Sequence, residues 1–171
     1  VALDRPELLL SSIKAIAANW VIIDTPAKAE RMSANVIRIA NIALIPVQPS
    51  AADVWASAAA VKLVQSKIDV GGQIHAAFIA TRVSGQTKLS KEILAGNWNE
   101  YGLPLMATAI ANRVSYAQSL SDGLSVFDTT DQAAKVEIDA FRNKIQIRNK
   151  FYGTIRNLIR FVLEYFKIGC G

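Results

Sequence analysis

Three apolar runs in this 171-residue chain end in residues able to handle charge or shape a loop. Trp20-Val21-Ile22-Ile23 passes into Asp24-Thr25-Pro26, Ile42-Ala43-Leu44-Ile45 into Pro46-Val47-Gln48-Pro49-Ser50, and Ile74-His75-Ala76-Ala77-Phe78-Ile79-Ala80 into Thr81-Arg82. An acid directly after four buried apolar residues is where a nucleotide-binding protein sets the carboxylate that holds magnesium through water. The same junction also favours aspartate as a plain turn former or helix cap. Arg82 reads as a solvated or ion-paired side chain, and ordinary loop packing accounts for Pro46 and Pro49, before any wider likeness is considered. Other chemistries are poorly supplied. One histidine, His75, lies inside an apolar strand and one cysteine, Cys170, lies next to the last residue, so neither a catalytic triad, a disulfide framework, a prenylation box nor an ordinary transition-metal centre can be assembled. A cytosolic compartment is the simplest expectation.

The elements that must position these junctions follow from periodicity. With 51% hydrophobic and 19% charged residues, the chain has enough apolar material for one α/β domain with a true core. Leu8, Leu9, Ile13 and Ile16 recur at helical spacing before the strand at Trp20. Residues 32–40 read as the next helix, Ile42–Ile45 as a strand and Pro46–Ser50 as a rigid loop. Ser50 or Asp53 can cap the Ala-rich helix that runs to about Ile68. After a Gly71-Gly72 turn and the strand ending at Ala80, a helix spans about Thr87–Tyr101 and a short strand lies near Leu103–Ala109. A brief helix over Val114–Leu120, a turn at Asp122-Gly123 and a last helix from near Thr130 complete the pattern. Helices alternating with continuously apolar strands predict a parallel sheet covered on both faces, with ligands beyond the carboxyl ends of the strands. Trp20, Trp55 and Trp98 read as packing or interface groups.

Charge is unevenly spread. Net charge is +5, yet up to Phe141 twelve basic residues face thirteen acidic ones, and from Arg142 onward seven basic residues face only Glu164. Ile145, Tyr152, Ile155, Ile159, Val162 and Phe166 recur at three- or four-residue spacing with Arg148, Arg156, Arg160 and Lys167 off that stripe, which reads as a basic amphipathic helix. Such a helix serves anionic lipid, nucleic acid phosphates or, with no partner, simply packs on the core. No run reaches the roughly 18 apolar residues of a membrane span, and VALDRPELLL lacks the marks of a signal peptide. An opening without methionine is what a fragment or a processed form would be expected to show.

The string Val21-Ile22-Ile23-Asp24-Thr25-Pro26-Ala27, followed by Ala43-Leu44-Ile45-Pro46-Val47-Gln48-Pro49-Ser50-Ala51-Ala52-Asp53, resembles the ParA/MinD superfamily of deviant-Walker ATPases. The likeness is greatest to small ParA-type plasmid partition proteins of the ParF kind. Ala109–Ser119 is similar to the segment after the last core strand of that family, and Asp122–Asp128 and Ala133–Ile138 continue the match in order over about residues 15–141. The resemblance implies a doubly wound, Rossmann-like sheet of the P-loop NTPase type and a core over residues 1–147, with 148–171 a basic amphipathic extension. It implies ATP and Mg as cofactors. Asp24 would be the Walker B acid and hold Mg through water, Thr25 and Pro26 would shape the loop beside the γ-phosphate, and Thr81, Arg82 and the loop around Ile110–Arg113 would border the adenine. Pro46 belongs to the segment near nucleotide and dimer partner.

One departure is serious. Family members carry a phosphate loop of the KGGxGKT kind, whose amides and lysines hold the phosphates, and these 171 residues contain none. The chain is therefore not expected to hydrolyse ATP alone. Two readings remain: part of a partition ATPase, or a non-catalytic ParA-like binding module. For either, the resemblance implies a homodimer, non-specific DNA binding through Arg113, Arg142, Lys144, Arg148 and Lys150, a centromere-binding partner of the ParB type, and a cytoplasmic, nucleoid-associated location. A MinD-like anchor on anionic membrane is the further alternative for the tail.

Overall fold

The computed structural model describes residues 5–18, 20–26, 30–85, 87–150 and 159–165. A 3-10 turn over Pro6–Leu8 leads into α1, Leu9–Lys14, which buries Leu9 and Ile13. Then come β1 (Trp20–Pro26), α2 (Glu30–Ile39) and β2 (Ile42–Val47). The helix-then-strand units form as the periodicity predicts, but both strands run through the residues expected to end them. β1 includes Asp24, Thr25 and Pro26, and β2 includes Pro46, which sits opposite Ile79. Near a strand end the donor that proline lacks costs the ladder little.

The single Ala-rich helix is in fact two, α3 (Ala51–Ala56) and α4 (Ala58–Asp69). They part at buried Ser57, whose hydroxyl donates to the Val54 carbonyl at 2.6 Å and so draws the backbone away from a continuous helix. Ser50 is the cap of α3, its Oγ accepting from the Asp53 amide at 3.1 Å. Gly71, at φ 78°, turns the chain toward β3 (His75–Ala80). α5 (Lys88–Leu94), capped by Thr87, stops short of the expected end, and Trp98–Tyr101 forms a separate 3-10 turn. The strand expected near Leu103–Ala109 reduces to one bridge, Leu105 to Phe78: Phe78 donates to the Pro104 carbonyl and accepts from the Met106 amide, both at 2.8 Å, while Pro104 has no amide with which to extend the ladder toward Ala76. α6 (Val114–Ser121) and α7 (Gln132–Lys150) follow.

The tail is a correction. The apolar spacing beyond Phe141 predicts one long helix, whereas α7 ends at Lys150 and Ile159–Tyr165 forms β4. This stretch is rich in β-branched and aromatic residues, which favour extended backbone. β4 lies in the middle of a four-stranded sheet of order β1-β4-β2-β3, parallel at every pairing. The fold is thus a mixed α/β arrangement around a small parallel sheet.

Side chains alternate across β2 with the two-residue period of a strand. Ala43, Ile45 and Val47 join Phe78 in a core shared with α1, α2, α4 and Trp98. Ile42 and Leu44 join Ile79 in a smaller cluster beneath Ile145 and Phe141 of α7. Phe78 is fully buried with its ring centroid 5.1 Å from that of Trp98. Helices therefore cover both faces of β2 and β3 and fix where those strands end. Among the described residues no helix is long and apolar enough to cross a membrane.

Candidate functional site

β2 and β3 end side by side, Val47 opposite Ala80, and the chain beyond them opens a cleft of about 740 Å³. Its floor is set by backbone hydrogen bonds. The Thr81 amide donates to the Val47 carbonyl at 2.8 Å, the Ile110 amide to Ala80 at 2.9 Å, the Val83 amide to Ile110 at 3.0 Å and the Asn112 amide to Val83 at 2.9 Å. Residues 110–112 are in this way stitched beside 80–83 as a short strand-like wall. On the other side the Asp53 carboxylate accepts from the Gln48 amide at 3.0 Å, which fixes the loop after β2 while Ser50 caps α3. Pro46, Gln48 and Asp53 line one side of the cleft; Thr81, Arg82, Arg113 and Tyr116 line the other.

Arg82 sits at φ 51°, the one non-glycine in the left-handed region among the described residues. That conformation costs a side-chain-bearing residue roughly 1–2 kcal/mol and is worth a functional question where it borders a cleft. Arg82 is exposed and makes no ion pair among the described residues. It can therefore offer its guanidinium to an anion or its plane to a ring.

Arg113 is differently placed. Its Nε and Nη2 donate to Glu137 Oε1 at 3.0 and 2.6 Å, and Nη1 lies 3.8 Å from Asp131 Oδ1. The other Glu137 oxygen accepts from the Ala111 amide at 3.2 Å and the Tyr116 hydroxyl at 2.9 Å. Asp131 accepts from Ser115 at 2.7 Å and from the Ala134 amide at 3.0 Å. Burial pushes the Glu137 carboxyl up, but Arg113, the Ala111 amide and Tyr116 outweigh it and hold it below the ordinary range. Burial and then the Glu137 carboxylate push the Tyr116 phenol well above its usual range, while the bond to Glu137 raises Arg113. Arg113, expected to meet adenine or DNA, thus shapes the cleft wall with its charge already matched.

Asp24 and Thr25 do not line this cleft. Asp24 is level with Leu163 of β4, which is level with Leu44 of β2, so two strand spacings, about 10 Å, separate the aspartate backbone from β2. Asp24 is exposed, whereas Thr25 is only 2% exposed and its hydroxyl has no hydrogen-bond partner among the described residues. One exposed carboxylate fits a magnesium ion held through water, since that ion keeps several waters and takes few protein ligands. Among the described residues there is no group of three or more His, Cys, Asp or Glu able to hold a metal by themselves. Pro26 closes β1, and its side chain lies outside what is described.

The basic residues of the tail separate. Arg142 pairs with Asp139 at 2.9 Å on the exposed side of α7. Lys144 borders a second, more apolar cavity of about 450 Å³ at the amino ends of β2 and β3, with Ile42, His75, Met106 and Ile145. The side chains of Arg148 and Lys150 lie outside the described residues. Sequence reasoning missed the grouping of Glu137, Tyr116 and Asp131, because Arg113 and Glu137 are 24 positions apart and no local periodicity links them.

No family model matches the chain. It is similar to the maintenance of carboxysome distribution protein A of Halothiobacillus neapolitanus, at 22% identity over 130 residues, which cover 74% of this chain and 60% of that protein. The chain thus spans somewhat under two thirds of that relative. The similarity supports a ParA/MinD-like origin at the level of the superfamily and nothing narrower.

Proposed function

We propose that this chain is part of a ParA-like positioning ATPase and that the cleft at the ends of β2 and β3 receives the nucleoside end of ATP. The observation that carries the reading is the meeting of Thr81, Arg82, Arg113 and Tyr116 around one cleft in a chain distantly similar to a distribution protein. A cleft of this volume is of the size that small ligands and cofactors occupy. In this reading the 110–112 wall and Tyr116 orient the base, and Arg82 lends positive charge or a stacking plane. Asp24 would hold Mg²⁺ through water; the ion supplies charge neutralisation to the phosphates. The phosphate cradle is not supplied by these 171 residues, so the chain alone binds nucleotide weakly and does not turn it over.

The finer reading is plasmid or chromosome partition: a nucleotide-dependent homodimer, non-specific DNA bound through basic residues, and a ParB-type partner that stimulates release. The carboxysome relative equally favours another cargo. The alternative reading is a non-catalytic ParA-like module that keeps the binding surfaces. Fluorescent ATP-analogue binding with and without Mg²⁺, in the chain and in Asp24→Ala, tests the first reading. Binding strengthened by Mg²⁺ and losing that dependence in the variant supports it; no saturable binding removes it and leaves the module.

A further inference from the structure

We infer that Glu137 is the positioning residue of the cleft, holding its wall from α7; this rests on the cleft being the nucleoside site. Four donors of the wall converge on its two oxygens: the Ala111 amide, Arg113 Nε and Nη2, and the Tyr116 hydroxyl. Glu137 does not itself line the cleft, whereas Ala111, Arg113 and Tyr116 do. It acts through them. The Ile110 and Asn112 amides are tied to Ala80 and Val83, with Ala111 bridged to Val83 between them, and Glu137 accepts the Ala111 amide that this ladder leaves over. Asp131 restrains the same Arg113 from the start of α7, with Nη1 at 3.8 Å, and holds Ser115 at 2.7 Å. The last helix thus closes a network around a wall more than twenty residues away in sequence. A ligand that needs the wall in one geometry is bound more tightly while this carboxylate is in place, since a site is effective to the extent that its groups are pre-positioned.

The test compares Glu137→Ala and Glu137→Gln in the full 171-residue chain, using ATP with Mg²⁺ and, separately, adenosine as probes at a temperature where each variant is folded. Glu137→Ala is expected to weaken both probes about tenfold, the scale of losing a coupled polar network. Glu137→Gln, which keeps an acceptor oxygen, is expected to recover most of the loss. Amide hydrogen exchange without ligand is the independent readout: Ala111 loses protection in Glu137→Ala while the amides of α7 keep theirs. Unchanged affinity in folded Glu137→Ala, or unchanged Ala111 protection, overturns the inference. A wild-type chain that binds neither probe, with Ala111 exchange behaving as expected, refutes the nucleoside reading and leaves Glu137 in its role.

Discussion

Thr25→Val replaces a buried hydroxyl at the end of β1, one with no hydrogen-bond partner among the described residues, with a methyl group of the same shape. The residue is 2% exposed, and a hydroxyl left unpaired at such a place carries a penalty of about 1–3 kcal/mol. Both side chains are β-branched and equally suited to a strand, so the backbone contributes little difference. The variant is expected to be more stable by about 1–2 kcal/mol, or roughly 2–8 °C in melting temperature for a chain of this size. Urea unfolding followed by tryptophan fluorescence measures it directly, with an unchanged slope showing that only stability has moved. Thr25→Ser keeps the orphan hydroxyl and removes a methyl, and should lose about 1 kcal/mol. If Thr25→Val destabilises the fold, the hydroxyl has a partner and the strand end is built differently. If it stabilises the fold while weakening ATP binding, the hydroxyl is held unpaired for the ligand.

Arg82→Gly removes the cost of a side chain at φ 51°, so thermal unfolding should show stability held or raised by up to about 1 kcal/mol, while nucleotide binding falls; loss of stability would place Arg82 in the packing. Gly102→Ala should cost about 1–2 kcal/mol, because φ is 89° and an added Cβ would stand 3.0 Å from Val61 Cγ1, and chemical denaturation reads it. Glu137 and Asp131 titrate below their ordinary range in the fold, so their stabilisation is complete above the unfolded values near 4 and lost as pH falls through the folded ones. Melting temperature should therefore change little from these groups between about pH 7 and 5, drop below about pH 4, and drop less steeply in Glu137→Gln. Replacing Arg142, Lys144, Arg148 and Lys150 together by Gln should flatten the salt dependence of DNA binding by about 3–4 in log–log slope, if these residues meet phosphates; an unchanged slope assigns DNA contact elsewhere.

Much of the sheet was legible because β1, β2 and β3 are buried runs that end in polar or proline-bearing residues. Where the reading slipped, local signals competed with non-local ones. Pro26 and Pro46 look like terminators, yet a strand tolerates them at its end, and Ser57 gives no warning in sequence that its hydroxyl will interrupt an Ala-rich helix. Residues 159–165 fit a helical stripe by spacing and a strand by residue type, and the slot between β1 and β2 goes with the strand. The junctions at Pro46 and Thr81-Arg82 were readable as a site from their place after apolar runs. Arg113 was readable as a cation for adenine or DNA but not as one already paired, since Glu137 of α7 and Asp131 just before it capture it by tertiary folding. Asp24 was readable as an acid at a strand end, but its separation from the cleft by β4 was not, because β4 comes last in sequence and third from the opposite edge in space.

The most direct measurement is a titration of the isotope-labelled chain with Mg·ATP, followed amide by amide, in wild type and Arg82→Ala. Saturable shifts confined to Thr81, Arg82 and residues 110–116, weakened in the variant, are the predicted result. Absence of saturable change, or shifts gathered around Ile42, His75 and Met106 at the opposite end of the sheet, would contradict the nucleoside cleft.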